Sequence, residues 1–410
     1  MSCSLLLAAC SCSSGEPDVQ VSSPEEEAPA EIPSLAFIKF DKGLPTSGTW
    51  RGYPSLLDFT GDGRDDIVVS NREEDGWDAW TSPSEDAGWE RRIEGLPRDL
   101  FYGGQDGADL DDDGDLDLIL TSHTKGIVVF LSDGEMNWTN PNDTMIETPS
   151  MLLDVVVGDF DGDEHADLVG IGHFNGGLNI YLGQGGGKFT RLKQSSDLIG
   201  LKRAFGMQVE VVDLDGDGDD DIIAATDKGL KVFFTEQSDD GLTWNEFSAG
   251  LPVPEIGNTI RGIVTGDFNS DGKVDIGWCG LKDPQQPEGS GNYIGLFEWL
   301  PATKSWQQFD SGLLSDSAYM DMKTADFNRD GNLDLATVET AQGLMIFLGD
   351  GQGAFELKGI VEDVYGKSKM DVGNVNGDEW PDILISLQDQ KNDAASGGVW
   401  TLLNSPEIWK

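Results

Sequence analysis

Short apolar runs recur along the chain in a fixed order, each set off by polar, turn-forming residues. One set is rich in β-branched residues: IVVSN from Ile67, LILTS from Leu118, LVGIG from Leu168 and IIAAT from Ile222. A second set begins at a glycine: GIVVFLS from Gly126, GLNIYLG from Gly177, GLKVFFT from Gly229 and GLMIFLG from Gly343. A third opens on an aromatic: WERRIEG from Trp89, FTRLKQS from Phe189, WNEFSAG from Trp244, WQQFDSG from Trp306 and FELKGIV from Phe355. Another strand-like segment precedes each β-branched run, as in MQVEVVD from Met207. Runs this short, bounded by turns and rich in branched and aromatic residues, predict strands rather than helices. Four short strands per unit is the pattern of a propeller blade, and ring closure leaves little strand edge exposed.

Between the first and second strand of each unit lies an acidic nonapeptide. The seven copies are DFTGDGRDD from Asp58, DLDDDGDLD from Asp109, DFDGDEHAD from Asp159, DLDGDGDDD from Asp213, DFNSDGKVD from Asp267, DFNRDGNLD from Asp326 and NVNGDEWPD from Asn374. Their starts are 48 to 59 residues apart, which makes the chain a repeat architecture. The last unit has almost no sequence after GVWTLLN from Gly398 and so lacks a fourth strand. FIKFDKGLP from Phe37 matches WNEFSAGLP from Trp244 and would supply it. The expectation is an all-β, seven-bladed propeller of four-stranded antiparallel blades over 34–410, closed by an N-terminal strand that completes the last blade.

Like charges packed as closely as in residues 213–221 repel one another, so the nonapeptides need something to hold them. Alternate residues of a tight loop can turn oxygens onto one centre. Gly at the sixth position permits the turn, and the seventh can offer its backbone carbonyl. Six to eight hard oxygen ligands describe a Ca2+ site. The first, third, fifth, seventh and ninth residues are Asp58, Thr60, Asp62, Arg64 and Asp66 in the first loop, and Asp109, Asp111, Asp113, Asp115 and Asp117 in the second. They are Asp159, Asp161, Asp163, His165 and Asp167 in the third, and Asp213, Asp215, Asp217, Asp219 and Asp221 in the fourth. They are Asp267, Asn269, Asp271, Lys273 and Asp275 in the fifth, and Asp326, Asn328, Asp330, Asn332 and Asp334 in the sixth. The seventh has Asn374, Asn376, Asp378, Trp380 and Asp382. An EF-hand requires Glu at position twelve and a following helix; here Leu120 and Ala224 stand there, and strands follow. Up to seven Ca2+ sites are expected, tightest at loops two to four and weakest or empty at loop seven, because fewer ligand charges weaken binding.

The composition adds limits. The chain has 410 residues, with 75 acidic against 27 basic residues and a net charge of −48. That argues against nucleic acid and anionic lipid as partners, since both require clustered cations. Of four cysteines, three lie within the first dozen residues, so only Cys279 remains for the body of the chain, where IGWCG reads as a buried site. Leu7-Ala8-Ala9-Cys10 resembles a bacterial lipobox with Cys10 acylated, although the apolar run is short and no basic residue precedes it. Residues 1–12 are expected to be a lipoprotein signal and 13–33 a disordered acidic Ser/Pro/Glu tether. The protein would then sit outside the cytoplasm, lipid-anchored to the cell envelope or secreted, with the membrane reached only through the anchor.

The loop-and-strand pattern GDFDGDEHADLVGIG from Gly158 resembles the FG-GAP repeat of integrin α-chain propellers and the related VCBS-type repeats of bacterial surface proteins. The resemblance covers essentially everything after residue 33. It implies a Ca2+-binding propeller, usually extracellular, and fixes no single activity.

No GxSxG, HExxH, CxxC or P-loop is present, which weighs against an enzyme. GQGGGKF from Gly183 reads as a turn between strands. The blade-to-blade connections, on the face opposite the acidic loops, hold Trp50, Arg51, Phe101, Tyr102, Arg203, Phe205, Arg261, Tyr319, Tyr365 and Lys367. Aromatic and Arg residues on a concave face suit a glycan or an acidic protein partner; the competing reading is that they pack between blades. Trp89, Trp244 and Trp306 read as packing residues. The inserts from Leu281 and Leu387 fall on that same face and are the most individual loops. The favoured reading is a surface-anchored, Ca2+-binding, monomeric adhesion module for a protein or glycan. The alternatives are an extracellular polysaccharide-active enzyme of the Ca2+-assisted lyase type and a structural envelope protein.

Overall fold

The computed structural model describes residues 32–410, apart from 51, 73–75, 84–86, 101–102, 123–125, 141–144, 147, 149–150, 173–176, 193–205, 239–240, 254–258, 282–292, 316, 365–367 and 389–396. The signal and tether expected over 1–33 therefore lie almost wholly outside the described residues. Pro33–Lys410 forms one unit.

Among the described residues are 28 strands, in seven four-stranded antiparallel sheets. The first strand, β1, is Ile38–Lys39. Blade 1 comprises β2 (Ser55–Leu57), β3 (Asp66–Asn71), β4 (Gly76–Thr81) and β5 (Glu90–Arg91). Blade 2 comprises β6 (Gln105–Ala108), β7 (Asp117–Ser122), β8 (Gly126–Phe130) and β9 (Met145–Ile146). Blade 3 comprises β10 (Leu152–Gly158), β11 (Asp167–Gly172), β12 (Leu178–Gly183) and β13 (Phe189–Arg191). Blade 4 comprises β14 (Gly206–Val212), β15 (Asp221–Thr226), β16 (Gly229–Ser238) and β17 (Gly241–Glu246). Blade 5 comprises β18 (Thr259–Gly266), β19 (Asp275–Leu281), β20 (Ile294–Leu300) and β21 (Ser305–Gln308). Blade 6 comprises β22 (Tyr319–Ala325), β23 (Asp334–Glu339), β24 (Gly343–Gly349) and β25 (Phe355–Val361). Blade 7 comprises β26 (Lys369–Gly373), β27 (Asp382–Leu387) and β28 (Gly398–Leu403), completed by β1. No helix among the described residues is long and apolar enough to cross a membrane.

The first strands of neighbouring blades touch one another in a complete cycle, and β2 meets β26. They therefore line the centre of the ring. The second strands are buried along their length, apart from Leu281 at the end of β19, as in DIIAAT and DLILTS. A strand buried on both faces is apolar throughout rather than alternating, which is why these runs read as continuous hydrophobic segments. Among the described residues seven hydrophobic clusters form the core, and each joins two adjacent blades. The second residue of every acidic loop plugs one of them: Phe59, Leu110, Phe160, Leu214, Phe268, Phe327 and Val375 are all buried.

Closure occurs as the sequence predicts. Ile38 pairs with Leu403 and Lys39 with Leu402, and the Phe40 N–H donates to the Thr401 carbonyl at 2.8 Å. The likeness of FIKFDKGLP to WNEFSAGLP is structural too. Gly43 and Gly250 both have left-handed backbone, with φ +99° and +93°. Each lies against the carbonyl of a tryptophan at the entry to the fourth strand of the following blade; an added Cβ would stand 2.4 Å from the Trp89 oxygen and 2.1 Å from that of Trp306. Only glycine fits both the conformation and the space. The tryptophans answer in kind: Trp89 Nε1 donates to the Phe40 carbonyl and Trp306 Nε1 to that of Phe247, at 2.9 and 2.8 Å. These rings are packing residues at the seams between blades.

Candidate functional site

The seven acidic loops join the first and second strands of their blades and share one internal architecture. The first residue organises the loop. In the second loop, Asp109 accepts the N–H of Asp113 on Oδ1 (3.1 Å) and of Gly114 on Oδ2 (2.9 Å). Asp58, Asp159, Asp213, Asp267 and Asp326 accept loop N–H groups in the same way. Asn374 has one acceptor oxygen and takes the N–H groups of Gly377 and Asp378 on it.

The ninth residue anchors the loop to the blade. Oδ2 of Asp117, Asp167, Asp221, Asp275, Asp334 and Asp382 accepts the N–H of the second loop residue at 2.9–3.1 Å. Asp66 accepts from Thr60 instead. The other oxygen receives an N–H from the last part of the third strand or just beyond it, as from Ser82, Ser132, Gly183, Thr235, Gly349 and Asn404. These carboxylates are at most 1% exposed. Burial, the largest influence, pushes Asp66, Asp117 and Asp167 up to about 6 and Asp221, Asp275, Asp334 and Asp382 up to about 7.

The fifth residue turns back on its own loop. Oδ1 of Asp62, Asp113, Asp163, Asp217, Asp271, Asp330 and Asp378 accepts the N–H of the seventh residue at 2.9–3.0 Å. The seventh residue thus enters every loop through its backbone. In four loops its side chain turns to a neighbour: Arg64 to Asp62, Lys273 to Asp271, His165 towards Asp112 at 3.5 Å, and Trp380 beneath the guanidinium of Arg329. In the others the seventh residues are Asp115, Asp219 and Asn332.

Three loops bring carboxylates to a common centre. In Asp109, Asp111 and Asp117, in Asp159, Asp161 and Asp167, and in Asp213, Asp215 and Asp221, one oxygen from each residue lies within 4.8 Å of the others. These are the loops with Asp at positions one, three, five and nine; the fifth carboxylate stands outside each cluster. Oδ1 of Asp111 and of Asp161 is buried without a hydrogen-bond partner among the described residues. Burial first, and then the neighbouring aspartates, raise the affinity of Asp111, Asp161 and Asp215 for protons. Orphaned carboxylate oxygens gathered among like charges fit a hard divalent cation, which would supply both the missing partner and the missing charge. In the remaining loops the third residue is the neutral Thr60, Asn269, Asn328 or Asn376. Asn328 and Asn376 spend their amides on Asp330 and Asp378, at 2.9 Å each.

Position four is left-handed in every loop, as is position six, and only the sixth was expected to turn. Asp112, Ser270 and Arg329 have φ +65°, +57° and +59° at the fourth position, and Gly61, Gly162, Gly216 and Gly377 occupy the same place. Glycine there in four of seven copies is the signal that marks it in the sequence. At position six Glu164 and Glu379 take φ +67° and +72° where the other loops have glycine.

Of the residues expected on the opposite face, Trp50 and Tyr319 are buried, at 5% and 0% exposure. Trp50 packs 5.7 Å from Trp80 and lines a cavity of about 320 Å3 with Asn71 and Arg91, while the Tyr319 hydroxyl donates to the Leu314 carbonyl. Both serve packing. Arg261 is half-buried, with Nε donating to Thr259. Arg51, Phe101, Tyr102, Arg203, Phe205, Tyr365, Lys367 and Cys10, with most of both long inserts, lie outside the described residues. Cys279 is buried and free, and burial drives its thiol upward.

Comparison with known proteins agrees with this architecture. No curated protein shows significant sequence similarity. Two solved structures share the fold: BBS1N in complex with ARL6DN, with 10% identity, 90% of this chain and 98% of that chain covered and a TM-score of 0.57, and the BP39L lectin from Burkholderia pseudomallei, with 12% identity, 87% and 99% covered and a TM-score of 0.57. At such identity the likeness is one of fold alone. The FG-GAP-like repeat matches residues 109–170, 159–224, 213–278 and 326–385, each match running from one acidic loop into the next blade. Seven blades built on that loop, and a repeat match over more than half the chain, place this protein in the FG-GAP-like repeat family.

Proposed function

We propose that this chain is a calcium-stabilised propeller acting as a surface-anchored binding module for a protein or glycan. The observation that carries the calcium reading is the set of three-carboxylate clusters at Asp109, Asp159 and Asp213, with buried, unpartnered oxygens on Asp111 and Asp161. The residues that would hold the ion are the first, third and ninth of those loops. It would supply charge compensation to a loop that is otherwise only acid. The binding role is supported by the rigid ring, which fixes many loops on two faces, and by the lack of a catalytic motif in the sequence. The solved structures of the same fold are compatible with it: one is of a lectin, the other of a complex with another protein. Anchoring rests on Leu7-Ala8-Ala9-Cys10 and the acidic stretch that follows.

The test uses purified protein and two readouts. Chelator should lower the melting temperature and millimolar calcium restore it. A glycan array in calcium, repeated with chelator, should give a calcium-dependent hit if the partner is a sugar; a blank array moves the partner to a protein, sought next by cell-surface pull-down. A melting temperature indifferent to chelator would sink the calcium half of the proposal.

A further inference from the structure

The hairpins of blades 4 and 5 enclose a cavity of about 650 Å3 on the side of the acidic loops. Its lining comes from β16, the end of β20 and the turn after it, and the fourth and fifth acidic loops. Phe234, Phe247 and Trp299 form one wall, with ring centroids 4.9–5.6 Å apart. Asp213, Asp215 and Glu236 contribute carboxylates to the lining, the two aspartates from the fourth acidic loop, where the ion would take up their charge. Lys304 also lines the cavity, its Nζ over the Phe247 ring at 5.2 Å from the ring centre. Among the described residues no carboxylate pairs with this ammonium, although the chain carries 75 acidic residues against 27 basic ones. The other amine at the cavity, Lys273, is already paired with Asp271 at 2.9 Å.

We infer that this cavity binds an anionic pyranose unit of a glycan. The assignment rests on the reading of the chain as a binding module and names its site and ligand chemistry. A sugar ring has an apolar C–H face, which matches the Phe247 side of the aromatic wall, and an edge of hydroxyls, which matches Glu236. An anionic group on that sugar, carboxylate or sulfate, meets the cavity amine that no carboxylate among the described residues holds. The aromatic wall without Lys304 would suit any apolar group, and the acids without the wall would suit any cation. Their combination around a cavity of one- to two-sugar size selects the acidic sugar. This places the ligand beside the acidic loops, whereas the sequence pointed to the opposite face.

The experiment is calorimetric titration of the full chain, in millimolar calcium, with a hexuronate oligosaccharide, a sulfated-hexose oligosaccharide and a neutral oligosaccharide of matching length. Wild type is compared with Lys304→Gln, an exposed change that leaves the fold intact, and with Phe247→Ala, whose folding is checked by its melting curve. Binding of either anionic oligomer, weakened about tenfold or more in Lys304→Gln, is the expected result. Which oligomer binds identifies the anion as carboxylate or sulfate. Binding of the neutral sugar alone, or of none, overturns the inference. Anionic binding that survives both substitutions also overturns it but leaves the broader binding role standing. Loss of that broader role would instead show as no glycan or protein partner for any form of the chain.

Discussion

Oδ2 of Asp371 accepts the backbone N–H of Leu56 at 2.9 Å, across the seam where the last blade meets the first. The same device links first strands elsewhere: Asp106 to the Val157 N–H, Asp154 to Val209, Gln208 to Ile263 and Asp321 to Met370, at 2.8–3.1 Å. Bulges in β10, β14 and β22 sit immediately before Asp154, Gln208 and Asp321, re-aiming them towards the next blade. Blade 5 has the bulge but carries Gly262, where a Cβ would stand 2.9 Å from the Met322 nitrogen, so its neighbour occupies the space of a side chain.

Asp371 also pairs with Lys323 at 3.0 Å. Asp371→Ala deprives the buried Leu56 N–H of its acceptor and should cost about 1–3 kcal/mol. Asp371→Asn keeps an acceptor oxygen and should cost less. Urea unfolding measures both. A midpoint unchanged in the alanine variant would show that the latch does not hold the seam.

What could be read from the chain alone follows from what repeats. Seven loops in phase expose their spacing, and WNEFSAGLP shows where FIKFDKGLP must pair, so blade number and closure were readable. The latches were not, because Asp154 or Asp371 in a strand looks like an ordinary outward-facing polar residue. Nothing local reveals that its partner is an N–H some 55 or 315 residues away. The cavity between blades 4 and 5 was equally hidden, since its wall joins Phe247 to Trp299 across a seam. Trp50 and Tyr319 left both readings open for the converse reason: an aromatic in a connecting segment looks available until the seam it fills is seen.

Asp154 makes the stability of the ring depend on pH. Burial, with Glu210 and Asp106 nearby, pushes it up to about 8 despite the Val209 N–H. Burial likewise lifts Glu210 to about 7, opposed by Lys323 and aggravated by Asp106 and Asp371, and lifts Asp106 to about 6. Tyr53 also faces Asp154. A carboxyl raised in the folded state stabilises that state fully below its unfolded pKa. The contribution is lost as pH rises through the folded value. The urea midpoint should therefore fall as pH rises from about 4 to about 8 through these three groups. Asp154→Asn, still able to accept from Val209, should be more stable than wild type at pH 9 and close to it near pH 4. An unchanged pH profile in this variant would refute the assignment.

Glu164 carries left-handed backbone at the position where most loops have glycine. Its N–H donates to Asp159 Oδ2, a bond that glycine would keep. Glu164→Gly should raise stability by about 1 kcal/mol, through relief of backbone strain set against greater freedom of the unfolded chain. The reciprocal change, Gly331→Ala, meets no atom within 4 Å of the new Cβ, so any loss there is conformational alone. A thermal melt of each in chelator separates the backbone effect from metal binding. Equal and opposite shifts are expected.

The carboxylates of Asp111, Asp161 and Asp215 should have opposite effects with and without calcium. In chelator each adds a like charge to a crowded centre, so Asp→Asn at the three positions should stabilise the protein. In calcium each is a ligand, and the same changes should weaken the ion's hold. A site whose dissociation constant is tenfold below the free calcium concentration contributes about 1.4 kcal/mol. Losing three such sites should abolish most of the calcium-induced rise in melting temperature, because Thr60, Asn269, Asn328 and Asn376 leave the other loops with less charge. The stability curves of wild type and triple variant should cross as calcium is added. Curves that run parallel would mean that these carboxylates hold no ion, and that the loops are kept in shape by their own backbone N–H groups.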